Sequence, residues 1–542
     1  MFPYVEEAFT PEEEAVLRRY VTNLDQPVFA LVNLPEVVKG ALFARYSRSP
    51  KSLRRLFLDE FVGDLDVAGD ATVDATVGLA RAERLYERVF TEYGDDSVAQ
   101  LGGVHLACEQ ASNVLTKVLE RGRLMAYLEQ STRYIAYDAR LPSGHYRYHR
   151  PPEILESALG ARYVGDMDRM FDTYAELLPR LAAWIGARHP RQPGDSDFVH
   201  RQAVRAKALD ALRGLLPAAS LSNVGVYGTG QSYELLLLRM RSHPLPEARQ
   251  YAAMMLDELR KVIPSFLQRV DRPERGGEWS AYLAATRDRT AGVVERLWPD
   301  AGEPEDSWAP EVRLLDFDPD GEDKVLAAAC FPHAALGEAE LLRRVRALGA
   351  EERASLLRAY VGHRANRRHR PGRAFERTDY RFELVTDYGA FRDLQRHRML
   401  TIEWQPLTTT LGFQVPEVVD EAGETAAFTE GVERSADLHE ALSRDFPVQA
   451  TYAVALAFRV RYVMQLNARE AMHLVELRSG PQGHPSYRRV AQAMQRAIAE
   501  VAGHRAIAGA MGHVDHGAVT LERLASERRA EARRVAGKSP TS

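Results

Sequence analysis

One arrangement of residues occurs twice in this chain, which constrains it to fold as two similar units. Residues 104–121 (VHLACEQASNVLTKVLER) open with alternating apolar positions, Val104, Leu106 and Cys108, then shift to helical spacing at Val114, Leu115, Val118 and Leu119. A period of two followed by a period near 3.6 predicts a strand feeding a helix, with Ser112 placed to cap the helix. Residues 377–398 (RTDYRFELVTDYGAFRDLQRHR) repeat the design: Tyr380, Phe382 and Leu384 alternate, Asp387 can cap, and Phe391 and Leu394 begin a helical stripe. Each unit ends in arginines, RGR at 121–123 and RHR at 396–398. Further on, residues 228–252 and 467–491 can be laid side by side without a gap, which sets Arg239 over Arg478.

Between the copies, residues 298–323 are rich in proline, glycine and acid and poor in apolar periodicity, the composition of a linker. The expected organisation is a first domain at 1–297, a second at 324–505 and a charged helical tail at 506–542 whose end is solvated and frayed. At 542 residues the chain is long enough for more than one core, and 71 basic against 76 acidic side chains leave no overall field for nucleic acid or a membrane surface. Cys108 and Cys330 are isolated, which points to a reducing compartment, the cytoplasm. The start, MFPYVEEAFTPEEEAVL, is acidic and amphipathic, unlike a signal peptide, and no apolar run reaches membrane-spanning length.

The stretch RGRLMAYLEQSTRY, 121–134, resembles the signature RHRxxSxNExSxRY of the flavin-dependent thymidylate synthases (ThyX). It matches at Arg121, Arg123, Glu129, Ser131, Arg133 and Tyr134 and departs at Gly122, Ala126 and Leu128. The second copy, RHRMLTIEWQPLTT, keeps Arg396, His397 and Arg398, has Thr401 for the serine, and carries Trp404, Pro406 and Thr408 in place of Glu, Ser and Arg. The family's later motif is similar to Asn467, Arg469, His473 and Arg478, where the first copy shows Gly228, Gly230, Glu234 and Arg239. GDDSVAQLG at 94–102 resembles a flavin-contacting segment centred on Ser97, and ALFARYSRS at 41–49 an early Ala-Arg-x-Ser segment. Arg213 before Leu216-Pro217 is similar to a family nucleotide contact, and its counterpart Arg444 before Phe446-Pro447 stands one residue out of register.

The resemblance implies an α/β (α+β) fold of two tandem ThyX-like domains, each with long central helices and a mostly antiparallel sheet. It implies reductive methylation of dUMP to dTMP with 5,10-methylenetetrahydrofolate, FAD and a reduced nicotinamide, NADPH, without a cysteine nucleophile. A family tetramer implies a homodimer of this two-copy chain. Carried over by resemblance, Glu129, Ser131, Arg133, Arg396, Arg213 and Arg239 would contact substrate. Ser97, Arg121, Arg123, Arg396, His397, Arg398, Asn467, Arg469 and His473 would contact the cofactor, and Arg478 would stabilise the uracil as its N3 ionises. The two copies have lost complementary residues, so the expectation is one composite site, Glu129, Ser131 and Arg133 acting with the motifs of the second copy. The residue types suit that chemistry, because clustered arginines make bidentate contacts with phosphate, and in an extended loop Glu129, Ser131 and Arg133 would face one way. On a helix beginning at Asn467, that residue shares a stripe with Arg478, while Arg469 and His473 share another.

Two other functions fit the same residues: an inactive flavin- or nucleotide-binding relative, and flavin-dependent methylation of another pyrimidine. Simpler roles exist for each motif. RHR can be cations meeting a helix dipole, EQSTRY a surface loop with ion pairs, and His473 a half-buried helix histidine. HRANRRHRPGR at 363–373 is either a phosphate-gripping, flavin-contacting loop or a solvated basic one. DFDPDG at 316–321 begins like a calcium loop, but Pro319 interrupts it and Ala327 stands where a bidentate glutamate is required. GHVDHG at 512–517 defaults to a turn for want of a further ligand.

Overall fold

The computed structural model describes residues 7–34, 42, 46, 49–60, 103–299 and 311–536. Two four-stranded antiparallel sheets carry the same topology. The first comprises β1 (Val28–Leu31), β2 (Gly103–Ser112), β3 (Ala126–Glu129) and β4 (Leu221–Thr229), in the order β1-β2-β4-β3. The second comprises β5 (Val312–Phe317), β6 (Asp379–Asp387), β7 (Thr401–Trp404) and β8 (Arg459–Asn467), in the order β5-β6-β8-β7. The α+β fold and its repetition are therefore as the sequence predicts. β5 falls inside the stretch read as linker: Val312 and Leu314 pair with Leu384 and Phe382, so backbone pairing orders a segment with little apolar periodicity.

Both strand-to-helix units form where their periodicity changes. Ser112 Oγ accepts the amide of Leu115 at 3.0 Å and starts the helix Asn113–Leu119. Asp387 Oδ1 accepts the amide of Ala390 at 2.8 Å and starts the helix Tyr388–Leu394. β2 differs in one respect: its pairing with β4 shifts between Cys108 and Ala111, and Gln110 adopts φ 58°. That is a bulge, and the Asn223 side chain accepts the Gln110 amide at 2.9 Å in place of a ladder partner.

The chain divides into two compact units that each borrow from the other half. One comprises residues up to 176, 215–303 and 429–455; the other comprises 177–214, 304–428 and 456 onward. The helix Asp197–Leu212, from the amino-terminal half of the sequence, thus belongs to the carboxyl-terminal unit. The tail, as far as residue 536, is anchored at several points. Arg528 grips Asp195 through two contacts of 2.5 and 2.8 Å, Ser196 Oγ donates to Glu531 at 2.6 Å, and Lys207 pairs with Glu522 at 3.1 Å. One side of the tail is thus tied to residues 195–207, while Arg529, Arg533 and Arg534 are exposed, as a solvated charged face requires. Among the described residues no helix is long and apolar enough to cross a membrane.

Candidate functional site

In the carboxyl-terminal unit the RHR turn and the helix Ala468–Arg478 come together. Asn467 caps that helix, its Oδ1 accepting the Glu470 amide at 2.9 Å, and the helix carries Glu470, His473 and Arg478 past the turn. Arg478 Nε donates to His397 Nε2 at 3.0 Å. An arginine cannot accept, so His397 Nε2 presents its lone pair, the ring proton sits on Nδ1, and Nδ1 donates to Glu470 Oε1 at 2.9 Å. His397 is buried, and burial first, then the charges of Arg478 and Arg370, hold its pKa well below the ordinary range, so the ring is neutral. Beyond Arg478 the chain of charges continues: Arg478 lies 3.6 Å from Asp393, and Asp393 lies 3.4 Å from Arg213. Arg478 also stands 5.5 Å from the Tyr487 ring centre. The guanidinium is thus held by a histidine, a carboxylate and an aromatic face.

His473 lies on the far side of His397, ring centres 5.3 Å apart, and Arg370 donates to it at 2.9 Å. Burial is the largest cause that lowers its pKa to about 4, and burial raises that of Glu470. His397, Glu470 and His473 offer ligand atoms within 4.8 Å of one another. Their chemistry is nevertheless not that of a metal centre: both His397 nitrogens are engaged, and two arginines stand where a cation would be repelled. Arg367, Arg370, Arg398 and Arg469 all act on the Glu470–His473 pair, a concentration of donors that suits a phosphate-bearing ligand.

The basic segment 363–373 is anchored against this helix. Arg364 makes two contacts of 2.7 and 2.6 Å with Glu476, both side chains nearly buried, and donates to the Ala510 carbonyl at 2.8 Å. Arg469 donates to the Pro371 carbonyl at 2.9 Å and pairs with Glu376 at 3.3 Å. The GHVDHG stretch is a loop tied down by its neighbours: Ser479 Oγ accepts the Asp515 amide, Arg488 donates to the Gly517 carbonyl, and His516 bonds Gln495. At DFDPDG, Asp318 pairs with Lys324 and Asp320 with Arg346, and a helix begins at Gly321.

In the amino-terminal unit the corresponding turn is stripped down. Gly122 replaces His397, and a Cβ there would come within 2.5 Å of the Tyr127 hydroxyl oxygen. Ser232 replaces Glu470, donating to the Leu124 carbonyl at 3.1 Å. Glu129 is buried and pairs with Lys117 at 3.3 Å, while Lys117 also pairs with Glu120. Residues 132–134 are a turn, not the extended loop expected of EQSTR: Ser131 Oγ accepts the Arg133 amide at 3.2 Å and the Ser131 carbonyl accepts that of Tyr134. Glu129, Ser131 and Arg133 therefore do not alternate along one face. Arg133 is buried, and Arg121 and Arg123 are exposed.

The gap-free alignment of the two late helices is one residue out. Thr229 caps Gly230–Arg241 as Asn467 caps Ala468–Arg478, and Thr229 and Asn467 stand opposite Gly103 and Asp379, the first residues of β2 and β6. With the caps superposed, Gln231 answers to Arg469, Leu235 to His473 and buried Met240 to Arg478, and Arg239 falls beside Leu477. Arg239 is half-buried, its pKa lowered chiefly by burial, with Arg121 adding repulsion. Ser97 and most of 41–49 lie outside the described residues. Sequence reasoning does not find Glu470 or Asp393: a glutamate three residues after a cap reads as helix capping, and Asp393 as one more charge on a short helix.

The family described as thymidylate synthase complementing protein matches residues 45–265 and again 313–503. A UPF0159 protein of Chlamydia muridarum is 39% identical over 528 residues, 97% of this chain and 99% of its own length. One of Thermoplasma acidophilum is 33% identical over 518 residues, 90% of this chain and 97% of its own. A solved UMP/dUMP methylase, PolB of Streptomyces cacaoi bound with 5-Br dUMP, aligns over 36% of this chain and 94% of its own at 19% identity and a TM-score of 0.30. The repeated sheet, the repeated match and the full-length relatives place this chain in the thymidylate synthase complementing protein family, with the family's region present twice.

Proposed function

We propose that the protein is a flavin-dependent thymidylate synthase that methylates C5 of dUMP using 5,10-methylenetetrahydrofolate, FAD and NADPH. The observation that carries this reading is the fixed Arg478, held by His397 and Asp393. A positioned cation of this kind stabilises negative charge that develops on a bound ring, an effect worth about 3–4 kcal/mol where single preorganised donors have been removed from enzymes. The donors around Glu470 and His473 fit a flavin diphosphate, with Arg398, Asn467 and His473 as the residues that would hold it. The bound flavin would supply the hydride that reduces the transferred methylene. Neutral His397 keeps its Nε2 lone pair on Arg478 and so holds the guanidinium in one orientation.

The finer reading is one composite site, and its support is the complementary loss of motif residues: the second copy keeps Arg396, Arg398 and the Asn467 motif, the first keeps Glu129, Ser131 and Arg133. The burial of Glu129 against Lys117 favours a second reading, a relative that binds nucleotide or flavin without turnover. Purified protein should show flavin absorbance, or gain it with added FAD, and convert dUMP to dTMP. Arg478→Ala and Arg133→Ala should each abolish turnover while Arg239→Ala is milder. A colourless protein that fails to bind FAD sinks the enzymatic reading, and equal loss in all three variants sinks the asymmetry.

A further inference from the structure

Capping residues and bridges put the two units in register well away from the arginine motifs. Pro151 and Pro416 each precede a short helix, and Tyr148 and Phe413 each bridge to the residue just before a central strand. By the same register His149 corresponds to Gln414, Tyr163 to Phe428 and Tyr452 to Gly214, and because the next helices begin at Pro246 and Pro485, after a loop one residue longer in the second copy, Glu247 corresponds to Ser486. In the amino-terminal unit these positions form a closed polar core. Glu247 accepts the Ser112 amide at 2.9 Å, the Ser112 hydroxyl at 2.6 Å and the Tyr452 hydroxyl at 2.7 Å. The His149 ring lies 4.8 Å from that of Tyr452, and Tyr163 donates to the His149 carbonyl at 2.7 Å.

In the carboxyl-terminal unit the same place is open. Glycine stands for tyrosine at 214, serine for glutamate at 486 and phenylalanine for tyrosine at 428, and a cavity of about 800 Å³ takes the vacated volume. Interiors are close-packed, and a space of this size is in the range of about 300–1,000 Å³ that ligand pockets occupy. Of the residues assigned to substrate or cofactor, Arg213 alone lines it.

The lining indicates the chemistry of the occupant. Trp184 and Phe428 supply aromatic surface, and Val418 and Pro416 aliphatic surface. Most acids in the wall already have cations: Glu522 with Lys207 at 3.1 Å, Glu421 with Arg188 at 3.6 Å and Glu311 with Arg489 at 3.7 Å. Two arginines of the wall nevertheless keep spare donors. Arg213 is 4% exposed, yet its Nη2 has no hydrogen-bond acceptor among the described residues, the Asp387 carboxylate lying 3.8 Å away. Arg459 makes no side-chain hydrogen bond or ion pair among the described residues. A buried donor without an acceptor is costly, and a ligand acceptor in this cavity relieves it.

We propose that this cavity is a second small-molecule site, separate from the His397–Arg478 centre, that takes an aromatic ring bearing an anionic group. The ring packs on Trp184 and Phe428, and the anion meets Arg213 and Arg459. The site does not depend on the flavin reading. Calorimetry on the full chain with phenyl phosphate tests it. One molecule should bind per chain, and Arg459→Ala and the cavity-filling Val519→Trp should each weaken binding by about tenfold or more. Arg478→Ala should leave the affinity unchanged, and inorganic phosphate should bind about tenfold more weakly than the aryl compound. Absence of saturable binding overturns the proposal, as does binding that survives both pocket variants or is lost in Arg478→Ala. Equal affinity for inorganic phosphate overturns the aromatic assignment.

Discussion

Lys117 is 1% exposed and stands against two buried carboxylates, Glu120 and Glu129. Lys117→Met removes the cation from both, and removing one partner of a buried ion pair costs about 3–5 kcal/mol, to be read from urea denaturation. Glu129→Gln leaves Lys117 its pairing with Glu120, so it should cost far less stability. A loss of turnover beyond that cost would mark Glu129 as a substrate contact. The histidines set a pH dependence. His473 and His243 titrate at about 4, burial being the first cause for each, against an ordinary value near 6.5. Above about pH 6.5 both are neutral folded or unfolded and contribute nothing. As pH falls from about 6.5 towards 4, the unfolded chain takes protons that the folded chain refuses, so stability falls. Glu470, its pKa raised by burial, opposes part of that loss. His473→Asn should flatten the stability curve in this window; curves that remain parallel for variant and parent would contradict it. At this scale motif spacing singled out Arg478, His397 and Asn467, and the fold brings Arg478 onto His397 on the helix that Asn467 caps. It misplaced Arg239 by one residue, since a gap-free overlay ignores which residue caps the helix. It could not show Glu129 turning to Lys117, because a pairing depends on where β3 comes to rest.

The strand-helix units were legible because the change of period and the caps at Ser112 and Asp387 are local signals. The turn at 132–134 was not, since a hydroxyl accepting an amide two residues on competes with the extended form and leaves no periodic trace. The segment 363–373 shows the same limit: five arginines suggested a phosphate loop or a solvated one, yet Arg364 locks it through Glu476. Arg364→Gln replaces a buried, two-contact ion pair with a neutral side chain and should release that segment. Limited trypsin digestion should then cut after Arg367 or Arg368 well before the parent protein is cut there. Unchanged cleavage rates would mean that Arg469 and the Pro371 carbonyl hold the segment unaided.

Two repeats and their order along the chain were visible from periodicity and motif order; the exchange of segments between the units was not. A helix such as Asp197–Leu212 shows which face is apolar but not which half of the chain will cover it. Each unit depends on a piece encoded in the other half, residues 429–455 for one and 177–214 for the other. Residues 1–297 and 311–542 expressed separately should therefore be insoluble or partly folded, and expressed together should recover a complex with the far-ultraviolet spectrum of the intact chain. Independent folding of either fragment, measured by a cooperative thermal transition, would contradict the exchange.

The exchange also imposes a schedule on synthesis. Residue 303 ends the second block of the amino-terminal unit, but its third block ends at residue 455. At translation rates of about 5–20 residues per second, the interval of about 150 residues lasts roughly 8–30 s. Throughout that time the surface that residues 429–455 will cover, around Gly214's neighbour Leu215 and Thr173 beside Gly431, stays open on the nascent chain. A factor that shields exposed apolar surface during translation would have its longest opportunity to act at that point.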